Sequence, residues 1–248
     1  MDTDNKVTQP ERPGITGTLS GKMRGEPVMT AAGDTNMAAG KQRDIYPFFK
    51  RVLDVIGSVL ALVVLSPVFL IVAILIKHED GGPVVYKHKR VGFQGKEIYI
   101  YKFRSMRENA DKLEEMLTPE QLEQYNKEFT LADDPRITKI GALLRRTCLD
   151  ELPQFLNILE GELSLVGPRP VVEQELMTYY LGAERTRFLS VKPGVTGYWK
   201  AYARKDALYG NGERQKMELY YVENRSIILD IKILFSTVGA VVRRIMAK

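Results

Sequence analysis

The longest uncharged stretch of the chain begins soon after residue 50. Across residues 55–76, 22 consecutive residues carry no charge, and most of them are aliphatic. At about 1.5 Å per residue, one helix of that length just crosses the hydrocarbon core of a bilayer. A stretch this long and this apolar is unusual for a helix in the core of a water-soluble protein. The pattern therefore predicts a membrane helix within residues 45–78.

Two features of this segment argue against a simple crossing. Ser66 and Pro67 lie at its middle, and proline removes a backbone donor and clashes with the preceding turn, so we expect a kink there. Lysine and arginine also flank both ends, whereas a spanning helix carries its excess of these residues on the cytoplasmic side. We predict a re-entrant membrane helix hairpin that bends at Ser66 and Pro67; a true span stays open as the alternative.

The pattern changes over residues 79–248 to that of an α/β domain. β-Branched and aromatic residues around a glycine-containing turn predict two short strands over 83–106. Helical spacing predicts a surface helical hairpin over 107–129, then a helix capped by Asp133 or Asp134. A C-terminal amphipathic helix either packs on the domain or lies on an anionic membrane surface. The predicted fold class is α/β, a re-entrant hairpin plus a compact cytosolic domain with interfacial amphipathic helices.

Composition and charge add three constraints. Residues 1–44 contain no aromatic side chain, which predicts a disordered N-terminal tail because the segment cannot bury enough apolar surface. The formal net charge of +5 suits an anionic ligand or an anionic membrane face. Cys148 is the single cysteine, which excludes a disulfide framework within the chain, and two histidines without ligand spacing argue against a zinc site.

Two adjacent carboxylates, Asp150 and Glu151, stand in the apolar context RRTCLDELPQFLNIL. Because Pro153 is tolerated in a first helical turn, Asp150 is expected to cap a helix with Glu151 just inside it. On this fragment alone, a role in helix capping explains both acids better than a functional role at a phosphate site does. The preceding Arg145 and Arg146 change that balance, since the planar guanidinium fork matches phosphate oxygens.

More positive charge comes from two other segments. Arg169 lies between two prolines in GPRP, which hold it in an extended and rigid backbone. Lys102 and Arg104 lie on or beside a predicted strand in YKFRSM. Together these residues indicate a cationic cluster around two acids on a chain that enters the membrane. A divalent ion held by a carboxylate would complete a site for a diphosphate.

These motifs, in this order, resemble the bacterial sugar transferase family, the monotopic phosphoglycosyltransferases that act on polyprenol phosphates. The resemblance runs from about residue 46 to the C-terminus and rests on the apolar segment and on KRVGFQGKEIYIYKFRSM, RRTCLDELPQFLNILEGELSLVGPRP and KPGVTGYWKAYARKD. The chain departs from the family pattern at Cys148, where serine is usual. It departs again at Lys200 and Ala201, where many relatives carry a Gln-Val-type pair, and this leaves the choice of sugar open.

The resemblance implies transfer of a phosphosugar from a UDP-sugar to a membrane polyprenol phosphate, with release of UMP. This reaction is the first membrane step of exopolysaccharide, capsule or glycoconjugate synthesis. By the same resemblance, Asp150 is the nucleophile that carries a covalent phosphosugar, Glu151 is its partner, and both acids are expected to hold Mg2+. Arg145 and Arg169 fall on phosphate-binding positions.

Arg146, Lys102 and Arg104 complete the expected substrate-binding and phosphate-binding set. The expected location is the cytosolic face of the inner membrane, in contact with membrane lipids. No nucleic-acid partner is expected, and a homodimer is left open. Two alternatives remain, a magnesium-dependent hydrolase of prenyl diphosphates and a non-enzymatic membrane scaffold.

Overall fold

The computed structural model describes residues 45–131, 133–203 and 209–246, so the tail predicted for residues 1–44 lies outside the described residues. Within these ranges the chain forms ten α-helices and four short strands. Their order is α1 Tyr46–Asp80, β1 Val85–Val91, β2 Glu97–Phe103, α2 Leu113–Met116, α3 Pro119–Glu128, α4 Lys139–Thr147, α5 Gln154–Glu160, β3 Ser164–Val166, α6 Glu173–Tyr179, α7 Gly182–Phe188, β4 Gly194–Thr196, α8 Tyr198–Tyr202, α9 Glu213–Asn224 and α10 Ile227–Met246.

The apolar segment forms one continuous helix, α1, which passes through Pro67 without ending. The bend predicted at Ser66 and Pro67 therefore does not interrupt the helix in the structure, and the re-entrant hairpin stays a prediction. Pro67 has no N–H to donate to the carbonyl of Val63, four residues earlier. The Ser66 hydroxyl donates to that carbonyl instead, at 2.8 Å, which supplies the missing partner. Among the described residues, α1 is the one helix long and apolar enough to cross a membrane.

Both ends of α1 pack against the domain that follows it. Near the N-terminal end, Arg51 donates to the carbonyls of Ile158 and Leu159, at 2.6 and 3.0 Å. Near the C-terminal end, Val72 and Ile76 are buried in a cluster with Phe103 and Leu144. Between these contacts many apolar side chains are exposed, and Val64 keeps 71% of its surface exposed. Both halves of α1 therefore contact one domain, and the middle of the helix is largely exposed.

The strands form two small sheets. As predicted, β1 and β2 pair in an antiparallel hairpin, in which His88 lies opposite Ile100 and Tyr86 opposite Lys102. Directly opposed side chains share one face of an antiparallel pair, and alternate residues of a strand return to that face. His88, Arg90 and Lys102 therefore lie on one face of the hairpin. The second sheet is parallel and joins β3 to β4.

The helix starts in the polar part of the chain differ in detail from the prediction. The surface helical hairpin is present as α2 and α3, which are separated at Thr118, the N-cap of α3. The predicted cap of α4, Asp133 or Asp134, was wrong. The N-cap is Thr138, whose hydroxyl accepts the hydrogen bond from the amide of Gly141. Asp134 instead binds the guanidinium of Arg136 at 2.7 Å, and this buried ion pair satisfies its carboxylate.

The predicted C-terminal helix is α10, which packs on the domain and also exposes an apolar stripe. Ile233 and Asp230 are buried against the domain. The exposed apolar side chains recur every three or four residues along the opposite side: Ile228, Ile231, Phe235, Val238, Val242 and Met246. This spacing places them on one helical face. The packing of α10 on the domain is therefore confirmed, and its contact with a membrane surface stays a prediction.

Candidate active site

The two acids lie in a tight connection between α4 and α5. Cys148 ends α4 with a left-handed backbone, φ 57°, and residues Leu149–Glu151 then form a single 3-10 turn. Because α5 begins only at Gln154, the prediction that Asp150 caps this helix was wrong. Leu149 and Leu152, which flank the acids, pack into the same apolar cluster as Val72 of α1. The acid pair is therefore anchored directly beside the apolar helix.

The carboxylate of Glu151 is held between two lysines. Lys102 of β2 donates to Oε1 at 3.4 Å, and Lys200 of α8 donates to Oε2. Burial on its own would raise the pKa of Glu151, but the ammonium groups of Lys200 and Lys102 outweigh it and hold that pKa well below its usual range. Glu151 is thus a fixed anion with a cation at each oxygen.

Asp150 has a different environment from its neighbour. Its side chain is buried, with 8% exposed, and no hydrogen bond to its carboxylate is present within the described part of the chain. Burial raises the pKa of Asp150, and the nearby negative charge of Glu151 adds to this effect, while Lys102 and Arg145 oppose it. A carboxylate that lies near cations and accepts no hydrogen bond has oxygens available to act as a nucleophile or as a metal ligand.

The paired arginines at the end of α4 have different surroundings. The Nε of Arg145 donates to the hydroxyl of Ser105 at 2.9 Å, just after β2. A β-carbon on Gly141 would collide with the Ser105 backbone, so glycine lets α4 approach closely enough for this contact one turn later. Arg146 is exposed to solvent. No described hydrogen bond joins it to the acid pair.

Arg169 is brought to the acid pair, whereas Arg104 points elsewhere. The backbone amide of Arg169 donates to Oε2 of Glu218 at 3.2 Å, which fixes the loop between the two prolines. Its guanidinium contributes to the lowered pKa of Glu151, so the two charges interact. The guanidinium of Arg104 instead lies against Gly82, just beyond the end of α1. The structure therefore assembles Lys102, Arg145 and Arg169 around Asp150 and Glu151.

Comparison with known proteins places the chain in a family. A sequence profile for the bacterial sugar transferase family matches residues 45–244. The chain belongs to the bacterial sugar transferase family. It is 44% identical over 205 residues to the exopolysaccharide production protein ExoY of Sinorhizobium fredii, a match that covers 82% of this chain and 89% of that protein.

Two further relatives carry names that state a reaction. The undecaprenyl-phosphate galactose phosphotransferase of Salmonella typhimurium is 40% identical over 220 residues, which is 88% of this chain and 44% of that protein. The UDP-glucose:undecaprenyl-phosphate glucose-1-phosphate transferase of Klebsiella pneumoniae is 39% identical over 199 residues, covering 77% of this chain and 39% of that protein. The chain thus matches less than half of each of these two longer proteins.

Several buried charged residues of this sugar transferase were not predicted from its sequence. Arg90 of β1 pairs with Glu175 at 3.4 Å, and it also contacts His88 at 3.2 Å. Burial lowers the pKa of His88 to about 3, and the charge of Arg90 adds to the effect, so the imidazole is neutral at physiological pH. Strand alternation is the signal that reveals this group, because it places His88 and Arg90 on the face that carries Lys102.

Arg214 and Glu218 form a second buried charged group that was not predicted, and Glu218 binds the backbone of the loop that carries Arg169. The guanidinium of Arg214 is sandwiched between the rings of Trp199 and Tyr209, at 4.0 and 3.9 Å from their centroids. Burial raises the pKa of Glu218 to about 7, and the nearby Arg214 opposes that rise. Arg214 and Glu218 are one helical turn apart on α9, so their spacing predicts proximity but not burial.

The family implies a magnesium ion, and the described residues fit one that arrives with a diphosphate. Mg2+ is commonly held by one or two carboxylates together with substrate phosphates and water. Asp150 has a carboxylate available for this purpose, whereas both oxygens of Glu151 are already bound by lysines. The described residues include no cluster of three acidic, histidine or cysteine ligands. The joint ligation by Asp150 and Glu151 expected from the resemblance therefore stays a prediction.

Proposed function

We propose that this sugar transferase moves a hexose-1-phosphate from a UDP-sugar to a membrane polyprenol phosphate, giving a polyprenyl-diphosphate sugar and UMP. One observation carries the proposal: Asp150 lies beside the apolar helix among Lys102, Arg145 and Arg169, with no described hydrogen bond to its carboxylate. Relatives about 40% identical are named for this kind of transfer to undecaprenyl phosphate. Their names state two different sugars, so the hexose is to be identified by a donor screen.

In the first step, a carboxylate oxygen of Asp150 attacks the β-phosphorus of the donor. A new P–O bond forms to Asp150 while the bond between the β-phosphorus and the bridging oxygen breaks. UMP leaves with that oxygen and the electron pair, so no proton is needed to balance the step. The phosphosugar remains on Asp150 as an acyl phosphate.

In the second step, a phosphate oxygen of the polyprenol phosphate attacks the same phosphorus. The bond to Asp150 breaks, the free carboxylate returns, and a diphosphate links the sugar to the lipid. One phosphoanhydride has replaced another over the two steps, so repulsion between anions is the main obstacle. Lys102, Arg145 and Arg169 supply positive charge where the donor phosphates must approach, and a bound magnesium ion would supply further charge neutralisation.

We also propose that α1 is re-entrant and that the domain lies on the cytosolic face of the inner membrane. The support is that Arg51 and Asp54 near one end of α1, and Val72 and Ile76 near the other, contact the same domain. A single domain cannot hold both ends of a helix that crosses the bilayer between them. The exposed apolar stripe of α10 supports a second contact with the membrane surface.

Cysteine labelling in whole cells tests this topology. In a Cys148→Ser background, cysteines replace the exposed residues Phe48 and His78, one near each end of α1. Both should react with a membrane-impermeant maleimide only after the inner membrane is permeabilised. Labelling of one position alone in intact spheroplasts would establish a true span and refute the re-entrant topology.

The proposed reaction is tested by UMP release from UDP-sugars with polyprenyl phosphate and Mg2+. Release should depend on both substrates and should fall at least a thousandfold in Asp150→Asn, with the thermal unfolding temperature preserved. Phosphate release from a prenyl diphosphate without any UDP-sugar would favour the hydrolase alternative. Lipid and nucleotide binding without turnover of any tested UDP-sugar would favour the scaffold.

A further inference from the structure

Lys200 makes a contact that the sequence did not reveal. It lies on α8, and its ammonium donates to Oε2 of Glu151 and to the carbonyl of Val195 on β4, the latter at 3.2 Å. A cation is therefore fixed by two contacts beside the acid pair. Burial would lower the pKa of Lys200, but Glu151 outweighs it and raises that pKa, so the group stays charged.

The contact between Lys200 and Glu151 gives Glu151 a different role from Asp150. Lys102 binds one oxygen of Glu151 and Lys200 binds the other, so both oxygens are engaged by ammonium groups. A metal that approached Glu151 would have to share its oxygens with two ammonium groups, whose positive charges oppose it. Lys102 and Lys200 balance the charges of Glu151 and Asp150, so the nearby Arg145 and Arg169 leave a net positive charge where the donor diphosphate must approach.

We infer that Lys200 is a positioning residue that holds Glu151 out of the metal site and provides a built-in counter-charge for the donor diphosphate. A divalent ion would then be held by Asp150 together with the substrate phosphates. This inference rests on the proposed function, because it assumes that the diphosphate of a UDP-sugar binds beside Asp150. It predicts that part of the charge neutralisation in this chain needs no metal.

Exchange of Lys200 for a neutral residue should change two affinities in opposite directions. In Lys200→Gln one oxygen of Glu151 becomes available, so Mn2+ should bind more tightly. The counter-charge is lost, so UDP without metal should bind more weakly. Removal of one charge several ångströms from the ligand in a partly buried site corresponds to on the order of a fivefold change in each dissociation constant. A purely structural defect would weaken both ligands together.

The experiment uses the full chain in lipid nanodiscs. Mn2+ binding is followed by the loss of its free electron paramagnetic resonance signal, and metal-free UDP binding by calorimetry. Lys200→Met is a second neutral variant, in case glutamine disturbs folding, and Lys200→Arg should restore the parental UDP affinity. Lys216→Gln, an exposed lysine in an ion pair on α9, is the matched control and should change neither affinity.

The outcomes separate this inference from the proposed function. Tighter Mn2+ binding with weaker UDP binding in both neutral variants supports the role of Lys200. If the parent releases UMP but the folded neutral variants match its two affinities within twofold, the inference is wrong and the proposed function stands. If the parent neither binds UDP nor releases UMP from any UDP-sugar, the proposed function itself fails.

Discussion

Asp230 offers a direct test of how the domain holds the N-terminal end of α1. Its carboxylate is 4% exposed and accepts hydrogen bonds from Tyr46 at 3.0 Å, Lys50 at 2.9 Å and Tyr221 at 2.7 Å. Asp230→Ala removes all three contacts and leaves a cation and two hydroxyls without this partner. Because α10 carries Asp230 and α1 carries two of its donors, the change should loosen the helix from the domain.

The magnitude follows from the burial of the groups. Loss of one partner of a buried ion pair costs about 3–5 kcal/mol, and we take about 3 kcal/mol because Lys50 keeps 16% of its side chain exposed. For a domain of this size, 1 kcal/mol corresponds to roughly 2–4 °C in the unfolding temperature. Asp230→Ala should therefore lower the unfolding temperature by about 6–12 °C.

The assay is thermal unfolding of the purified chain in detergent micelles, followed by intrinsic fluorescence. Glu213→Ala is the matched control, since it breaks an exposed ion pair to Lys216 whose side chains are 52% and 73% exposed. Such pairs contribute about 0–1 kcal/mol, so the control should shift by less than about 4 °C. A shift for Asp230→Ala no larger than the control would refute the anchoring role.

Three further predictions concern the candidate site and its supports. Arg145→Ala should lower kcat/KM for UMP release more than about tenfold, because it removes a charge-assisted phosphate contact, while exposed Arg146→Ala should stay within about twofold; equal losses would contradict the assignment. The pKa of Glu218 is raised to about 7, so its contribution to stability is present below its unfolded-state pKa and is lost as pH rises through 7. Glu218→Gln should therefore flatten the fall in unfolding temperature between pH 5 and 7.5, and an unchanged slope would argue against this titration. With a pKa of about 3, His88 should show no imidazole titration by NMR between pH 5 and 8.

Much of the fold could be predicted because the decisive patterns are local. The apolar segment predicts α1 from its length alone, and alternating residues around a glycine-containing turn predict the β1–β2 hairpin. The continuity of α1 through Pro67 could not be predicted from proline chemistry. It depends on a serine hydroxyl that binds the carbonyl left without a partner, and that geometry is not contained in the residue pattern.

The sequence predicts which residues belong to the candidate site better than it predicts how they are arranged. Asp150, Glu151 and Arg145 lie within seven residues of each other, so their proximity follows from the chain itself. The contact between Lys200 and Glu151 joins residues 49 positions apart, and that between Arg90 and Glu175 joins residues 85 apart. Such contacts arise from tertiary packing, so the sequence indicated the charges but not which acid each one binds.

The central claim is that Asp150 becomes covalently linked to the phosphosugar, and intact-mass spectrometry tests it most directly. The chain is mixed with its UDP-sugar and Mg2+ in the absence of polyprenyl phosphate and quenched within milliseconds to seconds. We predict a mass increase of one phosphosugar that disappears when the lipid acceptor is added and is absent in Asp150→Asn. An unmodified mass throughout, in a preparation that releases UMP once the acceptor is present, would contradict the covalent route and indicate direct transfer.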